Sequence, residues 1–225
     1  MIVRDNSPKI RQARQLERKQ GRRASYDRIL IVSEGSKTEP NYFNEIRSLF
    51  RLHTANVVVR PSEPGTAPIQ VVHYAKQLFL DGDRHRNIQR LAFEKVFAVF
   101  DRDDHESYSN ALKTAESLDG KLRNDNKQVI RFQAVPSIPS FELWLLLHFE
   151  NVQSQIDRHE VLRRLKKHIP QYEKGYIGTF NMTREHLGLA FSRAEKLGQH
   201  NSAYTHPEPY TAVGILVQLL TGLRT

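Results

Sequence analysis

The stretch ILIVSEGSKTEPNYF at residues 29–43 and the stretch VFAVFDRDD at residues 96–104 decide the fold of this chain. Each opens on a short, continuous apolar run, the mark of a strand buried on both faces rather than of one that shows alternate side chains to water. Each run then stops at acidic residues and is followed by helical spacing. Thr38 stands where a helix N-cap is expected, and Pro40 sits near the first turn, where its missing N–H does no harm. Phe43, Ile46, Leu49 and Phe50 would share one face of that helix.

Working outward, Val57-Val58-Val59 reads as a second strand, closed by the turn residues Pro61 to Gly65. Ile69, Val72, Ala75 and Leu78 fit a second helix that Asp81-Gly82-Asp83 breaks. A helix around Leu112, Ala115 and Leu118 and a fourth strand over 129–135 complete an alternation of strand and helix. Such alternation predicts an α/β fold, a parallel sheet flanked by helices. From Ser140 onward the pattern predicts helices only, over 141–149, 161–169, 184–197 and 209–223. The expected organisation is a basic arm at 1–28, an α/β core at 29–136 and a helical C-terminal part at 137–225 packed on that core.

Charge is unevenly placed. Residues 1–28 hold nine Lys/Arg against Asp5, Glu17 and Asp27, so this arm carries +6 of the net +9. A basic arm ahead of a nearly neutral body suits the phosphate backbone of DNA or RNA, because each cation that neutralises a phosphate releases a counterion. Arg11, Arg14, Arg18, Lys19, Arg22 and Arg23 are the candidate backbone contacts; a solvated terminus kept basic for solubility is the bland alternative. There is no cysteine, which excludes disulfide frameworks, thiolate zinc sites and cysteine nucleophiles. No apolar run is long enough to span a membrane, and the charged N-terminus lacks a signal peptide's apolar core. A cytoplasmic protein is expected.

Ligands of open α/β sheets bind beyond the carboxyl ends of the strands. Glu34 follows the first strand, with Glu39 five residues later, and Asp101, Asp103 and Asp104 follow the third. In an extended Asp-x-Asp, positions 101 and 103 point to the same side. Carboxylates held that close repel unless a proton or cation compensates, and oxygen ligands suit Mg²⁺ or Mn²⁺. Such an ion could polarise a phosphoryl oxygen and activate water. Separately, each acidic run is more often a solvated turn; together, on equivalent strand ends, they form a candidate site.

The blocks ILIVSEGSKTEPNYF (29–43), VFDRDD (99–104) and PSIPSFELWLLLHF (136–149) resemble the RloB family, whose core is similar to a Toprim domain; Asn201 and Tyr210 to Val213 echo its closing segment. The resemblance implies a Toprim-like sheet with an acidic, Mg²⁺-dependent site. Glu34 then matches a glutamate acting as general acid/base or metal ligand, and Asp101 and Asp103 an Asp-x-Asp pair of metal ligands. Such a site is shared with topoisomerases, primases and several nucleases, and the resemblance further implies a role in bacterial anti-phage defence by abortive infection, with an AAA-type ATPase encoded alongside as partner. The chain has no GxxxxGK loop, consistent with ATP being handled elsewhere.

Other residues are read both ways. Asp104 and Glu142 are further candidate metal ligands, though Glu142 equally suits the first turn of its helix by the helix dipole. Lys37 is a candidate catalytic phosphate contact or a plain exposed lysine. Lys174 could supply a cation to the transition state, and His105 could bind metal or act as base. His148, Trp144 and Phe141 read as core. The expected activity is phosphodiester hydrolysis of DNA or RNA. The alternatives are a non-catalytic metal- or nucleotide-binding regulator of the ATPase, and a phosphatase or nucleotidyl transferase on small substrates.

Overall fold

The computed structural model describes residues 26–103, 105–205 and 208–223. The basic residues Arg11, Arg14, Arg18, Lys19, Arg22 and Arg23, and Asp104 of the acidic run, lie outside the described residues. In chain order the elements are β1 (Ile29–Ser33), α1 (Thr38–Leu49), β2 (Val57–Pro61), α2 (Pro68–Asp81), β3 (Lys95–Asp101), α3 (Tyr108–Leu118) and β4 (Arg131–Ile138). There follow α4 (Glu142–Leu147), α5 (Arg158–His168), α6 (Thr179–Thr183), a 3₁₀ turn (Arg184–His186), α7 (Leu187–His200), β5 (Tyr210–Thr211) and α8 (Val213–Gly222).

The sheet runs β2-β1-β3-β4-β5 and its first four strands are parallel. The continuous apolar runs are explained by burial on both faces. Ile29, Ile31, Phe97 and Val99 face one cluster with α1 and the C-terminal helices. Leu30, Val32, Val96, Ala98 and Phe100 face another with α2 and α3. The expected α/β fold with a helical C-terminal region is therefore present.

The C-terminal region departs from the helices-only expectation in one place. Tyr210 and Thr211 form β5, antiparallel to the end of β4, with Thr211 opposite Ser137 and their hydroxyls 3.0 Å apart. Two residues are too few to show strand periodicity in a sequence. Helix α4 is buried all round, so Leu143 to Leu147 join the first cluster. Trp144 is a core residue as read, its indole N–H donating to the Tyr42 hydroxyl at 2.8 Å and tying α4 to α1. His148 is likewise buried, with Nδ1 2.9 Å from the Trp144 carbonyl; burial pulls its imidazole down to about 4.

Thr38 does not cap α1. It is the first residue of the helix, and its hydroxyl accepts the backbone N–H of Gly175 at 2.9 Å. The Asn41 amide donates to the Gly175 carbonyl at 2.9 Å. These two bonds seat the loop between α5 and α6 on the start of α1. Gly175 has φ +85°, and a Cβ there would stand 2.8 Å from that of Lys37, so the contact requires glycine.

Candidate metal centre

Strand β1 is flanked by β2 on one side and β3 on the other, so chain order reverses between β1 and β3. Beyond the carboxyl ends of these two strands the loops part and leave a crevice, the place where doubly wound sheets bind ligands. A cleft of about 300 Å³ lies there, bordered by the β1–α1 turn, the end of β3, the start of α4, Arg158 and Lys174.

Backbone bonding sets the first side chain. The Glu34 N–H donates to the Val99 carbonyl at 2.9 Å, continuing the β1–β3 ladder past the strand, and Glu34 Oε2 accepts the Asp101 N–H at 2.9 Å. Gly35 leaves room in the turn that follows for the Glu39 carboxylate, whose Oε2 would lie 2.1 Å from a Cβ at that position. Glu39 is packed over the turn and buried. Asp101 is the last residue of β3 and is also buried. Glu142, at the start of α4, accepts the Ser140 hydroxyl at 2.7 Å and the Tyr172 hydroxyl at 3.1 Å. Both the metal-adjacent and the helix-terminus readings of Glu142 are thus compatible with its place.

The Asp-x-Asp pair is not extended. Strand β3 ends at Asp101, and Asp103 has φ +34°, in the left-handed region that strains a non-glycine residue. That turn separates the pair and carries Asp103 toward Glu34 and His105. Single ligand atoms of Glu34, Asp103 and His105 lie within 4.8 Å of one another, a group of three among the described residues that could hold a metal ion. Asp101 stands behind this group, touching it through its backbone bond to Glu34. Asp103 Oδ2 accepts Arg158 Nη1 at 2.7 Å, while its Oδ1 is buried without a partner.

The electrostatics follow from this crowding. Burial pushes Glu34 up to about 7, against the Asp101 N–H that favours its charged form. Asp103 adds to the rise, and the positive charges of Lys174 and Arg158 oppose it. Burial also raises Glu39 to about 7, helped by the charges of Glu142 and Glu34. Asp101 is raised well above the usual carboxylate range by burial and then by the four neighbouring carboxylates.

A divalent cation fits this set. The donors are carboxylate oxygens with one imidazole, one buried carboxylate oxygen has no partner, and the uncompensated acids would recover their charged forms beside it. Carboxylate oxygens suit hard ions, and an imidazole beside them also admits softer transition metals, so the donor set names no single metal.

The structure thus brings Glu34, Asp101, Asp103, Lys37 and Glu142 to one cleft, together with His105 and Lys174, which sequence reading left open. It adds Arg158, which sequence reading missed. Arg158 opens α5, 55 residues after its partner Asp103, and no local pattern links the two.

No curated protein and no solved structure matches the chain. The profile of the RloB-like protein family matches residues 29–220, a span that includes every side chain of the cleft. The chain belongs to the RloB-like protein family.

Proposed function

We propose that this protein is a metal-dependent phosphodiesterase that cuts DNA or RNA, in anti-phage defence and alongside an ATPase partner. The observation that carries the reading is the Glu34–Asp103–His105 group at the β1/β3 crevice, with buried acids behind it and Lys37, Arg158 and Lys174 around it. Glu34, Asp103 and His105 would hold the ion, Mg²⁺ or Mn²⁺, with Asp101 and Glu142 supporting from behind. Bound there, it would supply Lewis-acid polarisation of a phosphoryl oxygen and a lowered pKa for water.

The remaining work falls to the side chains. In the metal-free protein Glu34 has a proton affinity close to neutrality, so binding of the ion near pH 7 would displace a proton from its carboxylate and leave it charged. Lys174 and Arg158 reach the cleft from the C-terminal region and oppose the negative charge that gathers on a pentavalent phosphorus. Lys37, pinned against Gly175, offers a further cation at the cleft wall. The Toprim-like chemistry and the defence role rest on family resemblance. The backbone grip assigned to the basic arm rests on its charge.

The test is a cleavage panel of plasmid, single-stranded DNA, total RNA and tRNA with Mg²⁺, Mn²⁺ or EDTA, with and without the ATPase. Asp101→Asn/Asp103→Asn runs beside the wild type. Metal-dependent cutting lost in the variant supports the reading and names the substrate. Tight metal binding with no cutting in the presence of the ATPase would replace it with the regulatory module.

A further inference from the structure

A second concavity, of about 600 Å³, lies along β2, the edge strand of the sheet. Its walls come from α1, from β2 and from the connection between α2 and β3, and four arginines line it. Two of the four are neutralised. Arg28 is paired with Glu94 and Asp125, and Arg86 with Glu63 and Asp83.

Arg47 and Arg60 are not. Among the described residues neither makes an ion pair. The only hydrogen bond of the Arg47 guanidinium there is from Nη1 to the Val57 carbonyl, at 3.1 Å, which aims the side chain along the strand. The Nε–H of Arg60 is buried and has no acceptor. Burial lowers the proton affinity of Arg47, and the charge of Arg60 lowers it further, so two cations share the pocket with no anion between them. On the α1 wall, Asn44 Oδ1 is buried without a donor. Buried polar groups are otherwise hydrogen-bonded, so these three call for a partner in the pocket, whether water, ion or ligand.

The chemistry of the missing group follows from what is unsatisfied. Two guanidinium groups call for an oxyanion with several acceptor oxygens, and the planar fork of arginine matches phosphoryl oxygens two at a time. The orphan acceptor on Asn44 calls for a hydroxyl or amino donor on the same ligand. The amides of Asn87 and Gln89 on the opposite wall offer both donors and acceptors. A phosphate ester that carries a sugar hydroxyl or a base amino group meets all of these requirements. We propose that the Arg47–Arg60 pocket is a binding site for a phosphoryl group borne by a nucleotide unit. The unit is either a free nucleotide or one residue of a nucleic-acid strand. The proposal is independent of the reading of the carboxylate cleft, which shares none of these residues.

The experiment is calorimetric titration of the full chain, metal-free and at physiological salt, with three probes: pyrophosphate, AMP and a short single-stranded oligonucleotide. Wild type is compared with Arg47→Gln/Arg60→Gln and with Arg60→Lys, which keeps the charge but loses the fork. The expected result is saturable binding by wild type, weakened roughly tenfold or more in the double variant and by a smaller factor in Arg60→Lys. The basic arm is intact in both variants, so binding due to the arm alone would survive and show itself as equal affinity. AMP binding better than the oligonucleotide identifies a free nucleotide as the source, and the reverse order identifies a strand. Equal affinity of wild type and double variant, or no saturable binding of any probe, overturns the proposal. Thermal unfolding guards against a misfolded variant: the double variant should still unfold cooperatively without ligand, and should lose the upward shift that pyrophosphate gives wild type.

Discussion

Arg28 precedes β1 and Glu34 follows it, so the two stand at opposite ends of one five-residue strand, both largely withdrawn from water. At the amino end the buried charge is answered. The Arg28 guanidinium donates to both oxygens of Glu94 and both of Asp125, at 2.6 to 3.2 Å, and Asn124 donates to Glu94 at 3.0 Å. Asp125 and Glu94 accordingly raise the proton affinity of Arg28, although burial opposes them. At the carboxyl end, Glu34, Glu39 and Asp101 crowd together, and burial raises all three. Paired buried charge closes the bottom of the sheet and holds it. The acids at the top make no ion pair of that kind among the described residues, and on the proposed function a metal ion supplies the missing positive charge.

The sharpest way to break this contrast is at the unpaired end. On the proposed function, Asp103→Asn and Glu34→Gln each lower metal-dependent cleavage by about a thousandfold, roughly 4 kcal/mol of barrier, while unfolding free energy in urea stays near the wild-type value. Full activity in either variant would remove the metal centre from the mechanism. At the paired end the outcome reverses. Arg28→Ala leaves Glu94 and Asp125 without their cation and costs roughly 3 kcal/mol of stability, read from the urea midpoint, with Mn²⁺ affinity of the folded protein unchanged. A loss below about half that value would mean the pairing is ornamental.

A third outcome concerns pH. Glu34 and Glu39 titrate near 7 when folded and near 4.5 when unfolded. Between those values the folded chain therefore binds more protons than the unfolded one, and its stability falls as pH rises. The contribution is fully present below about 4.5 and is lost once pH passes 7. Glu39→Gln should flatten this slope and make the metal-free protein more stable at pH 8, by roughly 1 to 2 kcal/mol. Thermal melts across pH, with EDTA present, check it; a variant less stable than wild type at pH 8 contradicts the unpaired reading. The smallest effect is at Arg158, whose positive charge beside Asp103 opposes a second cation there. Arg158→Gln should tighten Mn²⁺ binding about fivefold, roughly 1 kcal/mol, by electron paramagnetic resonance titration. Weaker binding would make Arg158 a support of the site instead of a competitor.

Much of the sheet was legible. Ile29 to Val32 and Val96 to Phe100 are unbroken apolar runs because helices cover both faces, and Glu34 and Asp101 mark where each strand emerges. Glu34 and Asp103 were legible as site residues because a strand end fixes what lies one or two residues beyond it. Position alone did not give the form of the Asp-x-Asp. Extended backbone would place both carboxylates together, whereas the turn at Asp103 hands it to Glu34 and His105 and leaves Asp101 behind. Thr38 carried a capping signal, and a loop from 137 residues away took its hydroxyl.

The sequence by itself determined the alternation of the first four strands with their helices, the acidic strand ends and the basic arm, because these are properties of neighbouring residues and of burial periodicity. Only the tertiary structure decided which acids crowd together, that Arg158 and Lys174 return to the same cleft, and that Arg47 and Arg60 line one pocket with no ion pair among the described residues. Those facts depend on contacts between segments far apart in the chain. The electrostatic energy of a buried charge is set by what surrounds it in space, and no local pattern records that.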